Sequence, residues 1–149
     1  MIRVNRQTDY AVRLVLALAR RPAGAQVPTS QIREEMLIPP ALAQRIVADL
    51  ARGGFILTQP GRIGGIQLAR PANEITLYEI VDFYEGPIHI SDCLTTDFDC
   101  PFETKCPVRR RWNRVDLIIR DALNKITFEE LASDAELADI EGLTELVAH

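Results

Sequence analysis

All three cysteines of the chain fall in one short stretch, Cys93-x6-Cys100-x5-Cys106, framed by Asp92, Asp97, Asp99, Pro101 and Pro107. Thiolates are soft donors and strong nucleophiles, so a cluster of them points to a thiophilic metal centre or to redox chemistry of the thiols themselves. An odd number of cysteines in a chain with no secretory segment argues against a disulfide framework. Tetrahedral zinc and most iron–sulfur clusters take four protein donors, so three sulfurs must recruit one more group or leave a corner open. His89, four residues before Cys93, is one candidate for that place, and His89 with three cysteines would equally suit a structural zinc. The other histidine, His149, is the last residue. With no hydrolytic triad, no glycine-rich phosphate loop and no acid–base pair of suggestive spacing, the chain is not expected to be an enzyme. The competing class for a cysteine cluster is a small redox carrier.

The elements that must present this loop are bounded by composition. At 149 residues, 47% hydrophobic and 26% charged, the chain can bury a full core as one domain, or as one small domain plus an assembly element. No apolar run reaches the roughly 20 residues needed to span a bilayer, and the opening residues lack the apolar core of a signal peptide, so a cytoplasmic location with no membrane partner is expected. The net charge of -4 is unevenly spread. Residues 1 to 71 carry ten basic against four acidic side chains, net +6, and residues 72 to 149 carry seven against seventeen, net -10. A basic first part joined to an acidic second part points to a nucleic-acid surface on the first.

In chain order, Ala11, Leu14, Val15 and Leu18 recur at helical spacing within Asp9 to Arg20. Thr29 or Ser30 can cap a short second helix with Ile32 and Met36 inward. Pro39-Pro40 stops that segment and starts a third helix, since proline is tolerated in a first turn where no amide donor is needed. Leu42, Ile46, Val47 and Leu50 mark its buried face, and Gly53-Gly54 ends it. Residues 55–58 and 65–68 read as strands around the turn Gln59-Pro60-Gly61-Arg62-Ile63-Gly64. Three helices followed at once by a glycine-rich hairpin give the order of a winged helix–turn–helix. Thr76-Leu77-Tyr78-Glu79 is a capping box opening a helix to Gly86. After Pro107, Trp112, Val115, Ile118, Ile119, Ala122, Leu123 and Ile126 form a wide apolar stripe on a long helix. A stripe that wide after a complete winged domain favours burial against a second copy of the chain. Thr127-Phe128-Glu129-Glu130 offers another capping box, and with it a break and a fresh helix.

Thr8-Asp9-Tyr10-Ala11-Val12-Arg13, the wing from Gly61 to Pro71, Glu74-Ile75-Thr76-Leu77 and three cysteines before a long helix together resemble the Rrf-type regulators, a group that includes the iron–sulfur cluster assembly regulator and the nitric-oxide-sensitive repressor. The resemblance covers roughly residues 1 to 132. It implies a homodimeric winged-helix transcription factor carrying an iron–sulfur cluster on Cys93, Cys100 and Cys106, with [4Fe–4S] ahead of [2Fe–2S]. The first gap between cysteines holds six residues where the family usually has five. The cluster assembly regulator also has a histidine three residues after its third cysteine, and this chain has Arg109 there, which cannot ligate. In the nitric-oxide-sensitive repressors an aspartate from the first helix of the other subunit is the fourth ligand, and Asp9 stands at the matching place. The fourth ligand stays open between Asp9 and His89.

The resulting expectation is a mainly α-helical chain. Residues 1–86 form a winged helix–turn–helix DNA-binding domain with its following helix, 87–107 the cysteine loop, 108–132 the dimerisation helix and cap, and 133–149 a C-terminal tail. Its function is that of a DNA-binding regulator, expected to act as a repressor, that senses redox state, nitric oxide or cluster status. The alternative is a zinc-stabilised or cluster-free regulator with thiol-based sensing. Gln44 and Arg45 on the third helix are the side chains suited to base edges in the major groove, Arg62 on the wing to the minor groove, and Arg3, Arg6 and Arg52 to phosphates of the duplex.

Overall fold

Helix α1 (Arg6–Ala19) begins where Asn5 caps it, the Asn5 side chain accepting from the Thr8 N–H at 3.0 Å. It starts three residues ahead of the expected Asp9, because the cap residue is Asn5. Glu85, at the far end of the domain helix that follows the wing, accepts both the Asn5 N–H at 2.9 Å and the hydroxyl of the fully buried Thr8 at 2.5 Å. This bond pair fixes the first turn of α1, and Asp9 with it. The computed structural model describes residues 3–148, with side chains to residue 139.

Helix α2 (Thr29–Glu35) corrects the expected hydroxyl cap. Pro28 holds the cap position with no side-chain bond, and Thr29 and Ser30 fall inside the first turn. The cause lies just upstream, where Val27 exchanges two backbone hydrogen bonds with Ile66 at 2.9 and 2.8 Å and so enters the helix already extended. Leu37, in the turn after α2, has φ of 53° and is 79% exposed, a left-handed conformation that costs a non-glycine residue about 1–2 kcal/mol. Helix α3 (Pro40–Arg52) has Pro40 in its first turn and ends at Gly53, as the prolines and glycines predict. Ala43, Ile46 and Leu50 bury its inner face.

Strands β1 (Ile56–Gln59) and β2 (Gly65–Leu68) pair antiparallel, Ile56 opposite Leu68 and Gln59 opposite Gly65. A single 3-10 turn at Ala72–Glu74 leads to helix α4 (Leu77–Glu85), which carries the full Thr76–Glu79 capping box. The cysteine stretch holds only one further 3-10 turn, Asp92–Leu94. Helix α5 (Pro107–Lys125) follows, then a break at Ile126–Thr127, then α6 (Phe128–Ala148), which crosses residue 132 without interruption. At the break the Thr127 hydroxyl accepts from Glu130 N–H at 3.2 Å, and Thr127 bridges to Thr76 in strand fashion.

The core is one cluster. Ala11, Leu14, Val15 and Leu18 of α1 meet Ile32, Ile46, Leu50, Ile56, Ile66, Ile75, Ile80 and Phe128. Phe128 is fully buried, so α6 shares the core of the helices and hairpin before it, and Arg20 of α1 pairs with Asp139 of α6. Helix α5 differs from all of these. Asp116 is its only buried residue, while Trp112, Val115, Leu117 and Ile118 stand 37 to 59% exposed. The expected single stripe therefore splits. Ile119 and Leu123 are half-buried and line a groove with Leu77 and Val81 of α4, whereas Trp112, Val115 and Ile118 stand exposed.

Candidate nucleic-acid interface and cysteine loop

Helix α3 sets up a reading face by burying every third or fourth residue, which leaves Ala41, Gln44, Arg45, Ala48 and Arg52 outside. Gln44 and Arg45 are exposed, and among the described residues neither makes a side-chain hydrogen bond or ion pair. Arg52 is less free, because its Nη2 bonds Asp49 Oδ1 at 2.9 Å and its guanidinium lies 6.0 Å from the Phe83 ring centroid. Asp49 thus takes part of the charge that a phosphate contact would use. Beneath this end of α3, burial chiefly, with Asp49 nearby, pushes the Tyr84 phenol far above its ordinary range, and its buried hydroxyl has no hydrogen-bond partner among the described residues. Arg3 and Arg6 are exposed at the start of α1, and Arg62 is exposed at the tip of the wing. Arg21 hydrogen bonds hold the Glu35 carboxyl below its usual range and tie α2 to the end of α1.

The cysteine loop is anchored to α5 at two points. Asp116, 3% exposed, accepts the Ile90 N–H at 3.0 Å and pairs through Oδ2 with His89 Nδ1 at 2.9 Å. Arg109 donates from Nε to the Cys93 carbonyl at 3.0 Å and pairs with Glu103 at 2.8 Å. The residue that cannot ligate is thus a staple for the loop. Asp116 was not picked out by sequence reasoning. Its signal was a carboxylate next to Val115 and Leu117 on an otherwise basic and apolar stretch of α5, and only the fold supplies its partners. Replacing Asp116 by Ala is expected to lower stability by about 1–3 kcal/mol and to expose the Ile90 amide to hydrogen exchange, because a part-buried donor loses its acceptor. Urea unfolding and exchange rates check this, and unchanged Ile90 protection in the variant would show that the anchor is not there.

All three cysteines are free and partly buried. The Cys93 sulfur lies 3.1 Å from Ser91 Oγ. Cys106 is the cap residue of α5 and lines a cleft of about 520 Å³ with Lys105, Arg110, Arg111 and Arg114. These cations and the helix N-terminus favour negative charge at that point. Asp9 is turned to Arg13 in an ion pair of 2.7 Å, with both side chains nearly half exposed. Asp9 and His89 line the same apolar groove of about 510 Å³ between α1, α4 and α5, but the three cysteines do not line it. Among the described residues, no three His, Cys, Asp or Glu side chains converge as a metal ion would require.

Three packed helices with an exposed polar reading face, a short wing and a long helix left apolar to solvent define a winged helix–turn–helix protein. Residues 4–134 match the Rrf2 family, described as an iron-dependent transcriptional regulator. The chain belongs to the Rrf2 family, whose members are DNA-binding transcription factors and not enzymes. It is 28% identical over 131 residues to the HTH-type transcriptional regulator IscR of Vibrio vulnificus, covering 88% of this chain and 77% of the relative. Its fold matches T. potens IscR with a TM-score of 0.72 at 24% identity, over 92% of this chain and 90% of that one. It also matches CymR, the global cysteine regulator of B. subtilis, with a TM-score of 0.73 at 22% identity, over 89% of this chain and 98% of that one. No helix among the described residues is long and apolar enough to cross a membrane.

Proposed function

We propose that the chain acts as a homodimeric, operator-binding regulator whose response is set by the thiols of Cys93, Cys100 and Cys106. The observation that carries this is the double role of α5. The same helix holds the cysteine loop, through Asp116 and Arg109, and exposes the apolar side chains suited to a partner subunit. Chemistry at the loop therefore acts on the element that sets the spacing of the two reading helices, and that spacing must match successive grooves of the duplex. In this reading α3 presents Gln44 and Arg45 to base edges, Arg62 enters the minor groove, and Arg3, Arg6 and Arg52 approach phosphates, Arg52 after releasing Asp49.

The donor set fits an iron–sulfur cluster in type and not in placement. Three soft sulfurs are present, but among the described residues they do not converge with a fourth donor, Asp9 is paired with Arg13, and one ring nitrogen of His89 is taken by Asp116. Cluster-free thiol chemistry is thus the reading that the geometry supports best. The second reading, a cluster with [4Fe–4S] ahead of [2Fe–2S] and a fourth ligand from Asp9 of the other subunit, draws on the iron dependence in the family's description and on the relatives named IscR. The cationic cleft at Cys106 would suit such an anionic group.

The test starts with protein purified without oxygen. Iron, sulfide and reactive thiols are counted per chain, and affinity for a DNA duplex selected from a random pool is measured before and after a peroxide. In metal-free protein, oxidation is expected to change affinity by roughly 5- to 150-fold, and serine at the three cysteine positions to abolish the change. A response seen only in iron- and sulfide-loaded protein would establish the cluster reading instead. No response in either form would remove the loop from sensing.

A further inference from the structure

The wing tip carries the most exposed large aliphatic side chain among the described residues, Ile63 at 93%. The turn beneath it is locked. Gly61 has φ of 110°, a conformation that a side chain rarely tolerates, and its carbonyl accepts the Gly64 N–H at 3.0 Å. A Cβ on Gly64 would lie 2.1 Å from the Gln59 carbonyl oxygen, and one on Gly65 2.5 Å from that of Val27. Through Val27 and Ile66 the hairpin is also bonded to the segment that opens α2. The tip is thus held at a fixed place relative to the reading unit, with Arg62 and Ile63 side by side in solvent.

We propose that Ile63 is an apolar wedge that enters the minor groove beside Arg62 and helps set which base steps the protein prefers. The inference rests on the DNA-binding reading above and extends it to a residue that makes no polar contact. An aliphatic side chain cannot neutralise a phosphate. What a duplex offers it are the sugar walls and base edges of the minor groove, where inserted Ile, Leu or Phe side chains part a base step, most cheaply at the flexible TA and CA/TG steps. Arg62 brings the charge that draws the tip to the groove, and Ile63 brings contact that is independent of charge.

That division gives the test. Wild type, Ile63→Ser, Ile63→Leu and Arg62→Ala are compared by fluorescence anisotropy on the selected duplex, as full-length purified proteins, across a salt series. Ile63→Ser is expected to weaken binding by roughly 5- to 30-fold at every salt concentration with the slope of log K against log salt unchanged, since it removes buried apolar area and no charge. Ile63→Leu should restore most of the loss. Arg62→Ala should lower the slope by about one. Wild-type affinity in Ile63→Ser, or a loss that comes with a changed slope, overturns the wedge. If the wild-type protein selects no duplex at all, the DNA-binding reading fails first and the wedge with it.

Discussion

In the proposed homodimer, Ile118→Asp is expected to give folded monomers, with the dimer dissociation constant raised at least about 100-fold. The side chain is 59% exposed on α5, beside Val115 at 37% and Trp112 at 42%, so the fold of a single chain does not depend on it. In an association that covers these three, each contributes up to about 1.5–3 kcal/mol, and a buried carboxylate without a partner opposes that strongly. Ile119→Asp would be a poorer experiment, because Ile119 lines the groove against α4 inside the same chain and the change would disturb folding and association together. Sedimentation at low micromolar concentration gives the mass, and far-ultraviolet circular dichroism gives the helix content. A variant that keeps its helices and remains dimeric would place the interface elsewhere than on α5. Loss of operator affinity should accompany dissociation, since two half-sites then no longer share one binding event.

Phe128→Ala should cost about 3–5 kcal/mol of stability, the range for emptying a large aromatic from a packed core. Phe128 has no exposed surface, and its N–H donates to the Ile75 carbonyl at 3.0 Å while Leu77 N–H donates to Ile126 at 2.9 Å. Those two bonds seat the start of α6 beside the capping box of α4, with Ala132 buried one turn on. Urea unfolding of the variant should show one transition at a much lower midpoint. A change under about 1 kcal/mol would mean that α6 is an appendage and not part of the domain core. The result bears on function because α6 packs on α1, the helix that carries Arg6 and Asp9.

What the amino-acid sequence determined on its own were the features governed by a few neighbouring residues. Pro40 opening α3, Gly53 closing it, the hairpin around Gly61 to Gly64 and the Thr76–Glu79 capping box are each set by conformational limits or hydrogen bonds within about five positions, and the structure has all of them. The outer face of α3 was legible for the same reason, because helical periodicity separates Gln44 and Arg45 from Ala43 and Ile46. The tertiary structure alone decided the rest. Glu85 accepting from the Asn5 N–H, 80 residues earlier, and Asp116 holding His89 across 27, are pairings of no local pattern, fixed by how α1, α4 and α5 pack. The apolar stripe of α5 could be seen as apolar, but a stripe wider than one contact face does not say which edge turns inward. In the fold, Ile119 and Leu123 line the groove beside α4, while Trp112, Val115 and Ile118 stand exposed. The cysteines follow the same rule. Their spacing names the chemistry of the donors, whereas their distances depend on a loop held by residues outside it, Arg109 and Asp116.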